Sequence, residues 1–119
     1  MSVFRALTIS PDGAVADQEW DVNDKSLLPA LQEAVAGLVD VVALAEDLDM
    51  WVNDCGLYTE PLNPVASALV AALGGHRLQP YWFGTVVFTG GADRDGNTQP
   101  LPAARAAEIL QLIQTVCHA

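Results

Sequence analysis

The segment LVDVVALAEDLDMWVNDCGLY, from Leu38 to Tyr58, carries the clearest structural pattern in this chain. Its first eight residues form a nearly continuous apolar run, which is typical of a strand covered on both faces. The following LDMWVN alternates, so that Met50 points to one face of a sheet and Trp51 to the other. The residues from Asn53 to Gly56 favour a turn, with side chains bonding the backbone and a positive φ at the glycine. The segment predicts two consecutive strands and a tight connection.

Further strands are predicted on both sides of this segment. Toward the N-terminus, VFRALTI alternates as a strand, SPDG predicts a turn, and AVADQEWDV is a second, more polar strand. Toward the C-terminus, YWFGTVVFTGG is typical of another core strand and ADRDGNTQP of a polar loop.

Three helices are predicted between and after these strands. Ser26 can cap the first helix, and Gly37 is placed to end it. The second helix has the residue types preferred at a helix start, with Asn63 as N-cap and Pro64 at the first helical position. The third begins at about Pro102 and has one apolar face.

The order of these elements, β-β-α-β-β-α-β-α, predicts one compact domain over residues 1–119. Hydrophobic residues make up 51% of the chain, which is ample for a core. Because each helix has a single apolar stripe, the helices should cover a sheet in layers. We therefore expect an α+β fold with a single mixed β-sheet of about five strands and three helices.

The charge balance restricts the classes of partner. Fifteen acidic residues against five basic ones give a formal net charge of −10. Binding to nucleic acid or to an anionic membrane surface requires Lys and Arg to displace counterions, so neither is expected. No apolar stretch reaches the roughly 18–20 residues of a membrane span. With no basic leader and only two cysteines, we expect a cytoplasmic protein with reduced thiols. An acidic surface favours either solubility or docking on a basic protein.

Three motifs within residues 38–101 resemble those of a known family. They are Val52-Asn53-Asp54 with Gly56, Asn63-Pro64, and the residues from Gly84 to Gly90. The chain resembles a small family known only as a domain of unknown function, common in actinobacterial phages and plasmids. The resemblance implies an origin in a mobile element and a host-cell location. It implies no activity, cofactor or catalytic residue, and Cys55 stands where the family pattern has a charged or small polar residue.

Cys55 is the candidate nucleophile of a cysteine-dependent hydrolase. Such an enzyme needs a thiolate, a base and oxyanion donors, and His76 is the histidine that could return to the turn. The acidic neighbours Asp47, Asp49 and Asp54 would raise the pKa of the thiol and make it less reactive. An enzyme is therefore the third of three functional hypotheses, and no catalytic residue is predicted.

A metal site or a small-ligand site has fewer signals. DRDGN lacks the further acids of a calcium loop, and no cysteine or histidine pair has zinc-site spacing, so neither a metal nor a cofactor is expected. The second hypothesis is a small-ligand binder that sequesters a nucleotide signal. Its candidate residues are the two glycines of the TGG loop and three arginines in the second half of the chain: Gly90, Gly91, Arg77, Arg94 and Arg105.

The first hypothesis is a non-enzymatic acidic interaction protein that binds a host protein, as an inhibitor of a defence or regulatory factor, or binds itself. Tryptophan and tyrosine in acidic surroundings are typical interface anchors, although core packing is their commoner role. The candidate binding residues are the aromatic residues and the polar pair of the turn: Trp20, Trp51, Asn53, Asp54, Tyr58 and Tyr81.

Overall fold

The computed structural model describes residues 3–23, 25–74 and 79–117. Its strands are β1 (Val3–Ile9), β2 (Val15–Asp21), β3 (Val39–Ala45), β4 (Leu48–Asn53) and β5 (Val86–Thr89). Its helices are α1 (Leu27–Val35), α2 (Gly56–Thr59), α3 (Pro64–Ala72) and α4 (Ala103–Cys117). The strands form one sheet in the order β2-β1-β5-β4-β3, and each neighbouring pair is antiparallel.

The predicted α+β class, with one five-stranded sheet and three longer helices, is confirmed. The sheet is antiparallel rather than mixed, because β5 enters beside the end of β1. The side-chain amide of Asn63 donates to Ile9 O and to Gly84 O, at 2.9 Å each, which places the end of β1 next to the approach to β5. The four-residue α2 is additional to the predicted order and occupies part of the connection after β4.

The two faces of the sheet carry separate cores. On one face, Leu7, Met50 and Phe88 pack with Leu69 of α3 and Ile109 of α4. All five of these side chains are buried, as expected for the larger of two apolar clusters.

The smaller core lies under α1 on the opposite face. Here Ala6 and Val87 pack with Leu31 and Val35, and Trp51 packs at the margin of the cluster. The predicted alternation of β4 is therefore confirmed, because Met50 belongs to the larger core and Trp51 to the smaller one. The layers are α3 and α4, then the sheet, then α1.

The prediction that the apolar run of β3 is covered on both faces is wrong. β3 is at an edge of the sheet, next to β4 alone among the described strands. Its side chains lie at the margin of the helical layers, and Val41 is 45% exposed. An apolar run alone did not distinguish a central strand from an edge strand, because position in the sheet depends on pairing.

Helix ends show which polar and glycine residues have structural roles. Asn63 caps α3 through a 3.0 Å bond from Ala66 N, as predicted. The left-handed residue that ends α1 is Ala36, at φ 61°, one position before the predicted Gly37. Gly37 instead allows a close approach. A Cβ on Gly37 would lie 2.6 Å from Asn53 Nδ2.

The predicted positive φ at Gly56 is also wrong, because this residue begins α2. A Cβ on Gly56 would lie 3.0 Å from Phe83 O. The glycine therefore allows a close approach between the turn and the segment before β5, rather than a left-handed backbone.

Candidate functional site

A groove runs between α1 and β2 on the face of the smaller core. α1 packs mainly against β3, β4 and β5, which leaves space above the other side of the sheet. The groove has a volume of about 570 Å³. Its walls come from β2, from the residue that follows it and from one side of α1: Gln18, Glu19, Trp20, Asp21, Val22, Ala30, Glu33 and Ala34.

The floor of the groove is held in place by a chain of hydrogen bonds. Trp20 is half-buried, and its indole N–H donates to Gln18 Oε1. Gln18 Nε2 in turn donates to Thr8 Oγ1 at 3.2 Å. Ala30 and Ala34 are one turn apart on α1, and their methyl groups leave room beside the indole ring. The result is a preformed groove in which the indole ring lies beside two alanine methyl groups, with the carboxylate-bearing Glu33 also in its lining.

The free edge of β2 runs alongside this groove. β2 pairs with β1, and no other described strand pairs with its outer side. Alternate residues of an edge strand direct their N–H and C=O groups outward, where another strand can bind them. Within the part of the chain that the structure describes, β2 thus offers a seven-residue edge to an added strand.

Three carboxylates line the same edge on the opposite face of the sheet. Asp17, Glu19 and Asp21 alternate with Gln18 and Trp20, so their side chains lie on the other face even where Glu19 and Asp21 border the groove. All three are exposed. Arg5 contacts Asp17 at 3.5 Å, but neither Glu19 nor Asp21 forms an ion pair within the described part of the chain. The edge thus has acidic side chains on one face and an aromatic groove on the other.

Trp20 and Trp51 are on the same face but in different surroundings. Trp51 lies on β4, and its indole N–H donates to Thr89 Oγ1 at 2.9 Å. Strands β1 and β5 separate it from Trp20. Trp51 is half-buried against the smaller core, and only Trp20 lines the groove beside the acidic edge.

The other predicted binding residues lie at the opposite edge of the sheet or within the fold. Asp54 and Tyr58 line a smaller cleft of about 220 Å³, and Tyr58 is 86% exposed. Tyr81 is also exposed. Asn53 is buried: its amide donates to Val35 O at 3.1 Å and accepts from Cys55 N at 2.8 Å. These bonds give Asn53 a structural role in joining α1 to the turn after β4.

The surroundings of Cys55 do not activate its thiol. Cys55 is exposed at the start of α2, and the Asp54 carboxylate raises its pKa above the ordinary value by hydrogen bonding and by its charge. The expected effect of the acidic neighbours is thus confirmed for Asp54. His76 lies outside the described residues.

One family model matches most of the chain. It is described as "Domain of unknown function (DUF3846)" and matches residues 4–114. The chain belongs to this family. The match includes the whole of β2, α1 and β3, so the groove and both edges of the sheet are parts of the family domain. No curated protein and no solved structure matches the chain.

Three of the five candidate ligand residues of this family member, Gly90, Gly91 and Arg105, make close contacts within the fold. Arg105 contacts Asp47 at 2.8 Å and Glu108 at 2.6 Å, and its bonds lower the pKa of Asp47. A Cβ on Gly91 would lie 2.1 Å from Glu46 O, and one on Gly90 would lie 2.5 Å from Pro100 O. The glycines therefore permit close backbone packing.

The remaining arginines add no support for a ligand site. Arg94 is exposed in the loop after β5, and Arg77 lies outside the described residues. None of the clefts described above is lined by Arg94 or Arg105. The small-ligand hypothesis stays a prediction from the sequence.

The acidic loop after β5 is organised by its own backbone. Asp93 Oδ1 accepts from Asp95 N and from Asn97 N, at 2.9 and 3.0 Å. In residues 3–23, 25–74 and 79–117, no group of three or more Cys, His, Asp or Glu could hold a metal ion. No helix in these ranges is long and apolar enough to span a bilayer.

The sequence prediction named Trp20 but missed the rest of the groove. Glu19 and Asp21 flank it, and Ala30, Glu33 and Ala34 come from α1. A signal was present, because DQEWD places acids at every second position opposite the tryptophan. That β2 would be an edge strand beside Ala30 and Ala34 of α1 depends on the topology of the sheet.

Proposed function

We propose that this protein is a non-enzymatic, acidic interaction protein that binds an extended basic segment of a partner protein along β2. The observation that carries this proposal is the free edge of β2, with Asp17, Glu19 and Asp21 on one face and Trp20 in a groove on the other. Strand addition to such an edge is a general mode of peptide recognition, in which the backbone supplies affinity and alternate side chains supply specificity.

The alternation of acidic and groove-facing residues along β2 determines which side chains fit in the partner segment. Residues two apart on a strand are about 6.6–6.8 Å apart and share a face. In an added strand, every second side chain would face the carboxylates of Glu19 and Asp21, and Lys or Arg fits there. The side chains between them would face Trp20 and the alanines of α1, where apolar groups fit, with Glu33 in the same groove lining. The preferred segment therefore alternates basic and apolar residues.

The overall charge supports the same choice of partner. A net charge of −10 attracts basic segments and repels acidic ones at a distance. Exposed charges are largely screened beyond about 8 Å at physiological ionic strength. Binding should therefore weaken as salt is added.

We also propose that the partner is a host-cell protein and that the chain is encoded by a phage or plasmid. This part rests on the resemblance of its three motifs to a family of mobile elements. An inhibitor of a defence or regulatory factor that uses basic segments would fit this setting.

The proposal is tested with a synthetic ten-residue peptide that alternates Lys and Val, titrated calorimetrically. A peptide of the same composition, with its lysines and valines in two blocks, is the control. Three correctly placed pairs at about 0.5 kcal/mol each predict about tenfold tighter binding of the alternating peptide.

The matched variants are Glu19→Lys, in β2, and Asp95→Lys, in the exposed loop. Both change the net charge equally, but only Glu19→Lys should weaken binding by about tenfold or more. Equal affinities for the two peptides, or equal losses in the two variants, would contradict a site on β2.

A further inference from the structure

The second edge of the sheet, formed by β3, is mainly apolar, whereas the edge formed by β2 is acidic. Within the described residues, β3 pairs with β4 and its outer side has no strand beside it. Its sequence, VDVVALA, contains one charged residue, Asp40. Val41 is 45% exposed and Leu38, just before the strand, is 65% exposed. Long apolar edges are templates for pairing with another chain.

We infer that β3 pairs antiparallel with β3 of a second copy of this chain, which joins two sheets into one of ten strands. A strand that pairs with its own copy about a two-fold axis makes an isologous interface. The register centred on Val41 places Val39 opposite Ala43 and Asp40 opposite Val42. No carboxylate then faces another carboxylate directly.

The charges of the two edges decide which one can pair with itself. Self-pairing of β2 centred on Glu19 would place Glu19 against Glu19 and Asp17 against Asp21, and like charges directly opposite are destabilising. β3 lacks this obstacle, and the bond from Val41 N to Asp40 Oδ1, 3.0 Å in the single chain, would be exchanged for one to the second copy. The irregularity in β3 between Ala43 and Ala45 leaves the segment from Val39 to Ala43 regular, which is the segment the proposed register uses.

The size and charge of the contact predict a weak dimer. A seven-residue strand is about 23 Å long, so a single strand edge falls at the small end of specific interfaces, below about 1,200 Å² in total. Two chains of charge −10 repel each other, so association should strengthen when salt screens them. This salt dependence is opposite in sign to that of basic-peptide binding, so the two proposals can fail independently.

The test is sedimentation equilibrium of the full chain at 5–500 μM protein, in 50 mM and 500 mM NaCl. We expect the mass to rise toward twice the monomer value with concentration, and to rise further in 500 mM NaCl. A mass that stays at the monomer value at 500 μM in 500 mM NaCl would overturn the proposal.

Two variants with matched changes locate the contact. Val41→Lys puts two like charges opposite each other at the centre of the pair and should weaken the dimer about tenfold. Leu28→Lys changes an apolar side chain of similar exposure, 49%, on α1 and should leave the dimer unchanged. An equal effect of both changes would exclude β3 as the interface.

A second measurement does not depend on the variants folding. Hydrogen exchange of the parent protein at 5 and 500 μM should show slower exchange in residues 39–45 at the higher concentration. Slower exchange in residues 15–21 instead would assign self-association to β2 and overturn the inference.

Discussion

At the scale of single residues, Asn63 joins three parts of the fold. It is fully buried. Its side-chain oxygen caps α3, and its side-chain NH2 group donates to Ile9 O and Gly84 O. Replacing a buried bonded side chain leaves its partners desolvated without hydrogen bonds, which costs more than the bonds themselves contribute.

Asn63→Ala should therefore lower the free energy of unfolding by about 2–4 kcal/mol, the sum of a lost N-cap and unsatisfied carbonyls. Denaturant titration measures the change. Asn97→Ala, in the exposed loop, is the control and should change stability by less than about 0.5 kcal/mol. A loss at Asn63 no larger than that of the control would contradict this role.

Asp49 is a buried carboxyl whose burial raises its pKa above the ordinary value of 3.8. The folded protein holds this proton more tightly than the unfolded chain does. The free energy of unfolding therefore falls as pH rises from about 3.8 through the pKa of the folded state. Above the folded-state pKa, the destabilisation by the ionised carboxylate is fully present.

Asp49→Asn removes this ionisation and should stabilise the protein at pH 7 by up to about 1 kcal/mol. The advantage should shrink as pH falls through 3.8 and vanish well below it, where Asp49 is protonated in both states. Thermal unfolding at pH 7 and at pH 3.5 measures it, with the exposed Asp95→Asn as control. An advantage independent of pH would mean that ionisation of Asp49 is not its cause.

The sequence predicted the residues whose roles are local. The cap at Asn63 follows from the preference of asparagine for helix starts, and the alternation of Met50 and Trp51 follows from strand geometry. The contacts of Asn63 with Ile9 and Gly84 could not be predicted from local sequence, because they join residues 54 and 21 positions apart. The glycines show the same limit: Gly37 and Gly56 lie in the predicted connections, but close approach to distant atoms, rather than a left-handed backbone, is what requires them.

At the scale of elements, the positions of the strands along the chain were easier to predict than their places in the sheet. The positions of β1, β2 and β4 follow from alternation and turns. The apolar run of β3 predicts a strand covered on both faces, because such a strand and an apolar edge strand have the same pattern. The groove depends on where α1 packs, which the apolar stripe of the helix does not specify by itself.

The width of the groove between α1 and β2 should control peptide binding. Ala30→Leu adds three carbon atoms to its wall and should weaken binding of the alternating Lys–Val peptide by about tenfold without altering the charge. Stability should change by less than about 1 kcal/mol, because both residues favour helices and the site is open on one side. Calorimetric titration measures the affinity.

The control for this change is Ala104→Leu, an exposed position on α4 outside the groove. It should leave the affinity for the peptide unchanged. If Ala30→Leu also left it unchanged, the side chains of the bound peptide would have to face away from α1.

At the scale of the whole molecule, one acidic domain carries two sheet edges for which we propose different partners. The acidic edge of β2 favours a basic segment and opposes self-pairing, while the apolar edge of β3 favours a second copy. A dimer through β3 would leave both copies of β2 at the outer ends of a continuous sheet. The two proposed contacts are therefore compatible, and a dimer would present two identical peptide sites.

The most direct measurement of the central proposal is hydrogen exchange with and without the alternating Lys–Val peptide, at a protein concentration where the chain is monomeric. Binding along β2 predicts slower exchange in residues 15–21, with smaller changes in residues 27–35 and none in residues 39–45. Unchanged exchange in residues 15–21 at saturating peptide, or slowing confined to residues 39–45, would contradict the account.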